Sequence, residues 1–179
     1  MCLAVYLGTN VPLEMPREVA AGSLGIELAS WTPPPLRRNH QFVYYLGRKG
    51  DAPKLECSCL LVEHVEWTEG GPIVSHDALY PEQGPCPFET LRTYCALATA
   101  GGQFATIVCD GSAGEVENTA EQDYCTGGMV RLEHIARGHV LFADASGGVP
   151  YRVTHVVNSR SVRSRRIPAC KPVPCVGFP

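Results

Sequence analysis

The chain has 179 residues, 45% of them hydrophobic and 18% charged, which suits one ordinary domain and excludes wholesale disorder. No apolar run approaches the roughly 20 residues that span a bilayer, and the N-terminal MCLAVYLGTN lacks the basic region of a signal peptide, so a cytoplasmic protein is expected. The formal charge of −3 is uneven: from Tyr151 onward there are six basic residues and no acid, so residues 1–150 carry all 18 acidic residues.

In chain order, LAVYL (3–7) is rich in strand formers and closes at Gly8-Thr9-Asn10, which predicts a first strand. Residues 11–39 are proline-rich, with Pro33-Pro34-Pro35, and read mostly as loop around a short strand at 25–31. HQFVYYLG (40–47) is a strand, GRKGDAP a polar turn, and LECSCLLVEHVEW (55–67) the expected hairpin partner. Residues 68–86 have no period and read as loop. Pro87 stands at a first-turn helix position, with Phe88, Leu91, Cys95 and Ala98 at helical spacing behind it and Gly101-Gly102 at the end. QFATIVC (103–109) is a strand that Asp110-Gly111 is expected to turn. A polar loop (112–126), a second helix (127–138) and a strand pair at 139–144 and 151–157 follow. The expected architecture is a single α/β or α+β domain over 1–157, a mixed sheet with about two helices packed on it and long Pro-rich loops. A basic, Pro- and Cys-containing extended tail occupies 158–179.

The nine cysteines are an odd number, and several sit within apolar runs, the pattern of reduced thiols rather than of a disulfide framework. There is no C-x-x-C, no glycine-rich phosphate loop, no G-x-S-x-G and no H-E-x-x-H. What remains is Cys57-Ser58-Cys59. In an extended strand the two cysteines face the same side with Cα atoms roughly 6.5–7 Å apart, at the upper edge of disulfide geometry. A thiophilic metal suits that spacing better, because two thiolates about 2.3 Å from one ion converge without closing on each other. Cys2 and Cys109 are the candidate further ligands, whereas His64 falls on the opposite face of such a strand. The competing reading is plain core packing, since free cysteine behaves as a small hydrophobe and Leu55, Leu60 and Leu61 flank the pair. Cys95, on the apolar helix face, reads as core.

MCLAVYLGTNVPL, FVYYLG followed some ten residues later by C-x-C, a helix, a strand ending VCDG and a strand pair near YRVTHVV together resemble a family of small uncharacterised bacterial proteins. Members begin Met-Cys-Leu-Ala and carry YYLGS, CGCGF and CWDGD. The resemblance covers most of 1–157 and marks Cys2, Cys57, Cys59 and Cys109, but it implies no reaction. This chain departs from it at Ser58-Cys59-Leu60, where glycines are expected, and at Cys109-Asp110, where a Trp is expected.

The leading functional expectation is a small metal-binding or redox-thiol protein working through Cys57 and Cys59, with zinc or another thiophilic metal as cofactor. One alternative is an N-terminal-Cys amidohydrolase in which Cys2, once Met1 is removed, is the catalytic nucleophile and its own α-amino group the base. Another is a non-enzymatic interaction module using the basic tail. Six charges without interleaved aromatics make a weak nucleic-acid signature, so docking on the acidic body or on a neighbouring copy is preferred, and no membrane partner is expected.

Overall fold

A computed structural model of the chain describes residues 2–14, 21–61, 64–68, 71–75, 87–113, 125–137 and 151–158. The strands are β1 (Cys2–Thr9), β2 (Leu24–Leu28), β3 (Phe42–Arg48), β4 (His64–Thr68), β5 (Gly71–Ser75), β6 (Phe104–Ala113), β7 (Cys125–Arg131) and β8 (Tyr151–Val157). The α-helices are α1 (Pro34–Arg37) and α2 (Pro87–Ala98). Six strands form one sheet in the order β2-β3-β1-β6-β8-β7, antiparallel throughout except for the parallel pair β7–β8, and β4 and β5 form a separate two-stranded ladder. The fold is α+β.

Alternation along the strands divides the sheet into two unlike faces. Val5 and Leu7 of β1, Tyr44 and Leu46 of β3, Ala105 and Ile107 of β6, and Val156 of β8 point to the larger core. α2 covers this face with Phe88, Leu91, Cys95 and Ala98, all fully buried, as the helical spacing predicts. Full burial of Phe88 or Leu91 contributes about 1.5–3 kcal/mol each. Two hydroxyls tie the helix down: Tyr94 Oη donates to Leu24 O at 3.3 Å and Thr9 Oγ1 to Ala98 O at 3.4 Å. The helix stops where Gly101 and Gly102 adopt φ of 70° and 82°, the left-handed region that glycine enters without strain. The second face carries a smaller cluster, Leu36, Val43, Val108 and Val153, under α1.

Several expected elements take other forms. LECSCLLVEHVEW is not one strand: residues 55–57 are irregular, Cys59–Leu61 is a 3₁₀ turn, and His64–Thr68 is a strand. The span read as loop contains β5. Pro33-Pro34-Pro35 does not stay a loop; Pro34 and Pro35 open α1, where a missing N–H costs nothing because first-turn donors have no helical partner. Asp110-Gly111 does not turn the chain. β6 runs on to Ala113, and an extra residue is absorbed as a bulge where Ala4 pairs with Asp110 but Cys2 with Ala113. The second helix is instead β7 followed by a 3₁₀ turn, Leu132–Arg137, because hydrogen bonding to β8 outweighs helical periodicity in this short segment. The strand expected at 139–144 and the tail from Ser159 lie outside the described residues.

Residues 55 and 56 lie directly over Gly25 and Gly47 on the second face. A Cβ on Gly47 would run into the Glu56 carbonyl oxygen and stand 3.0 Å from Leu55 Cβ. That carbonyl cannot swing aside, because Tyr45 Oη donates to it at 2.7 Å. Gly47→Ala is expected to cost about 1–3 kcal/mol, measured as a fall in the urea midpoint at unchanged slope.

Candidate functional site

The Cys57-Ser58-Cys59 segment passes from one face of the sheet to the other. Leu55 and Glu56 lie on the second face, whereas Leu60 and Leu61 are buried in the larger core on the first. The passage runs through a gap between β1 and β3, whose pairing ends at Val5 and Leu46. The segment supplies the partners that the parted strands lack. Glu56 N donates to Arg48 O at 2.8 Å, Arg48 N to Cys57 O at 3.2 Å, and Ser58 N to Leu3 O at 2.8 Å. The Ser58 side chain, fully buried, accepts from Val5 N at 2.8 Å and donates to Leu46 O, so one hydroxyl joins both strands. The Arg48–Glu56 ion pair, at 2.7 Å and half-exposed, adds orientation more than stability.

This answers the question that the C-x-C spacing raises differently for each residue. Ser58 is the structural member. Cys57 and Cys59 flank it, both partly exposed, and Leu3 N donates to Cys59 Sγ at 3.4 Å. The backbone bends at Ser58, so the extended-strand separation expected for the pair does not apply. Cys2 begins β1, next to the residue that contacts Cys59; its side chain lies outside the described residues. Cys109 pairs in register with Val5 and is buried in the larger core at 6% exposure. Cys95 is fully buried there too, and burial raises its thiol far above the ordinary value. Among the described residues no group of three His, Cys, Asp or Glu side chains is arranged to hold a metal. The N-terminal nucleophile and the basic tail depend on the Cys2 side chain and on residues 159–179, both outside the described residues.

The second face carries functional groups that motif reading passes over. Tyr6 and Tyr45 are cross-strand partners with ring centroids 5.5 Å apart, and Trp31 meets Tyr6 edge-on at 5.6 Å. With Ala4, Glu27 and Ser30 they line an open cleft of about 240 Å³. Burial first, then the Asp110 and Tyr45 charges, push the Tyr6 phenol up to about 12. Burial also raises the Tyr45 phenol; the nearby Cys57, Cys59 and Glu27 act in the same direction, and a hydrogen bond with Ser58 opposes them. Further along the face, His40 Nε2 and Thr106 Oγ1 are 2.7 Å apart and Thr106 Oγ1 and His155 Nδ1 3.1 Å, while His40 Nδ1 has no hydrogen-bond partner among the described residues. One sequence signal bears on the aromatic pair: in LAVYLG and FVYYLG a tyrosine falls on the parity opposite to the core residues.

The chain matches no protein-family model, no curated protein and no solved structure. What the site can do is therefore a matter of its own geometry.

Ser58→Ala is expected to leave Val5 N–H and Leu46 C=O unpaired in a dry setting. At about 1–3 kcal/mol for each buried unsatisfied group, the loss should be on the order of 2–5 kcal/mol in urea unfolding. A loss under 1 kcal/mol would refute the bridging role.

Burial, and then the charge of His155, lower His40 to about 4 from 6.5. Between those values the unfolded chain binds a proton that the folded chain does not, so stability rises with pH. It is complete above 6.5 and is lost as pH falls towards 4, by on the order of 3 kcal/mol. His155 is lowered too, by burial, and adds in the same direction. Urea midpoints at neutral and mildly acid pH should fall accordingly, and His40→Gln should remove most of the difference.

Proposed function

We propose that the protein is a thiol-centred metal-binding protein, with Cys57 and Cys59 as two ligands, Cys2 as the third and a thiophilic ion, zinc foremost, as the cofactor. The observation that carries this reading is the hydrogen bond from Leu3 N to Cys59 Sγ. It brings the start of β1, and with it the backbone of Cys2, beside the Cys-x-Cys segment. Exposure supports it as well. Cys57 and Cys59 remain reachable from solvent, whereas Cys95 and Cys109 are sealed in the core. Cys109, a ligand candidate from sequence, is left as a core residue in this proposal. The bend at Ser58 favours convergence of the two flanking thiolates on one ion, and hydrogen bonds from the bend to β1 and β3 hold it before any ion arrives. A cytoplasmic setting, in the bacterial context that the resemblance implies, belongs to the same proposal, since reachable thiols persist in a reducing compartment. No helix among the described residues is long and apolar enough to cross a membrane.

Elemental analysis of protein purified without a histidine tag tests the reading. About one equivalent of metal is expected. The Cys57→Ala/Cys59→Ala protein should lose it and melt many degrees lower, because a structural thiolate site contributes on the order of 10 kcal/mol. Cys109→Ala should keep the metal. Trace metal in the wild-type protein, with the double variant melting close to it, would overturn the proposal.

A further inference from the structure

The cleft on the second face has a composition that selects for charge. Glu27, Tyr45 and Tyr6 lie side by side in register across β2, β3 and β1, and Trp31 closes the far side. The ring planes do not stack: Trp31 stands at 64° to Tyr6 and Tyr45 at 53°. Inclined rings form a corner in which one small group touches more than one aromatic surface. Among the described residues that line it none is Lys, Arg or His, and Glu27 contributes a carboxylate. Asp110 pairs across the ladder with the lining residue Ala4 and is buried. Its charge is felt at Tyr6, which stays a neutral phenol at physiological pH.

We propose that this cleft binds a methylated ammonium group, carried on a small molecule. An aromatic ring presents a negative face that attracts a cation, and the Glu27 carboxylate adds a field of the same sense. Methylation matters because rings cannot replace the hydrogen bonds that a bare ammonium makes with water. A trimethylammonium group has none to lose and spreads its charge over methyls that pack on the rings. The cleft's volume, about 240 Å³ where one water occupies roughly 30 Å³, admits a head group of that kind and leaves its tail in solvent. Neither Cys57 nor Cys59 lines the cleft, so its occupancy is tested separately from that of the thiol site.

Choline is the probe, and its uncharged carbon isostere, in which a tert-butyl group replaces trimethylammonium, is the control. Titration followed by aromatic NMR resonances should move Tyr6, Tyr45 and Trp31 with choline at millimolar concentration and leave them in place with the isostere. Trp31 is 44% exposed, so Trp31→Ala should fold normally and weaken binding about tenfold. Glu27→Gln should weaken it several-fold while leaving the ring resonances of the free protein in place. Equal binding of the isostere would overturn the proposal by reducing the cleft to an apolar hollow. So would unshifted ring resonances with choline, or an unchanged affinity in Trp31→Ala.

Discussion

The Ser58 hydroxyl holds the central sheet together where β1 and β3 part. β1 and β3 separate beyond Val5 and Leu46, and each would expose a backbone group to a dry interior. A buried amide or carbonyl without a partner costs free energy comparable to a lost hydrogen bond, so a gap of this kind persists only if something fills it. The chain fills it with itself. By threading residues 57–59 through the opening, it answers Val5 N, Leu46 O, Leu3 O and Arg48 N from one short segment.

That passage determines what lies on either side. On the first face it delivers Leu60 and Leu61 to the core beneath α2. On the second it lays Leu55 and Glu56 across Gly25 and Gly47, two positions where any side chain would collide with the crossing segment. The Glu56 carbonyl then fixes the Tyr45 hydroxyl, and through it the aromatic corner with Tyr6 and Trp31. The cleft and the thiol pair are therefore neighbours for a structural reason. Both depend on how the crossing segment is seated.

The cysteines divide along the same line. Those on regular elements with the core parity, Cys95 on α2 and Cys109 on β6, behave as small apolar side chains. Those on the crossing segment remain partly exposed, because the backbone there is committed to bridging strands and cannot also turn its side chains into a core. The second face differs from the first in kind. It carries a histidine chain, an open aromatic cleft and a helix of only four residues, where the first face is covered by a helix of twelve.

Local chemistry was sufficient wherever a segment's own pattern decides its state. β1, β3, β6 and β8 could be read from their β-rich runs, and α2 from Pro87, its apolar spacing and the glycines that end it. The core role of Cys95 followed from the same helix. Sequence reading went wrong where long-range pairing competes with a local preference. GGMVRLEHIARG has the period of a helix, yet Gly128 to Arg131 pair with Thr154 to Val157 of β8, a partner that no local window contains. Asp110-Gly111 has the composition of a turn, yet β1 holds it in the ladder as a bulge. The Cys-x-Cys spacing drew attention to the segment but not to the structural role of the residue between the cysteines. A serine between two cysteines carries no periodic signal, and its importance comes from two strand ends that lie 12 and 53 residues earlier in the chain. The sequence by itself determined which segments are strands or helix and which of their faces is apolar, because those depend on neighbours within a few residues. Only the tertiary structure decided that β1 and β3 part, that Ser58 bridges them, and that Glu27, Tyr45, Tyr6 and Trp31 share a cleft, because each of those is a contact between segments that meet only when the whole sheet closes.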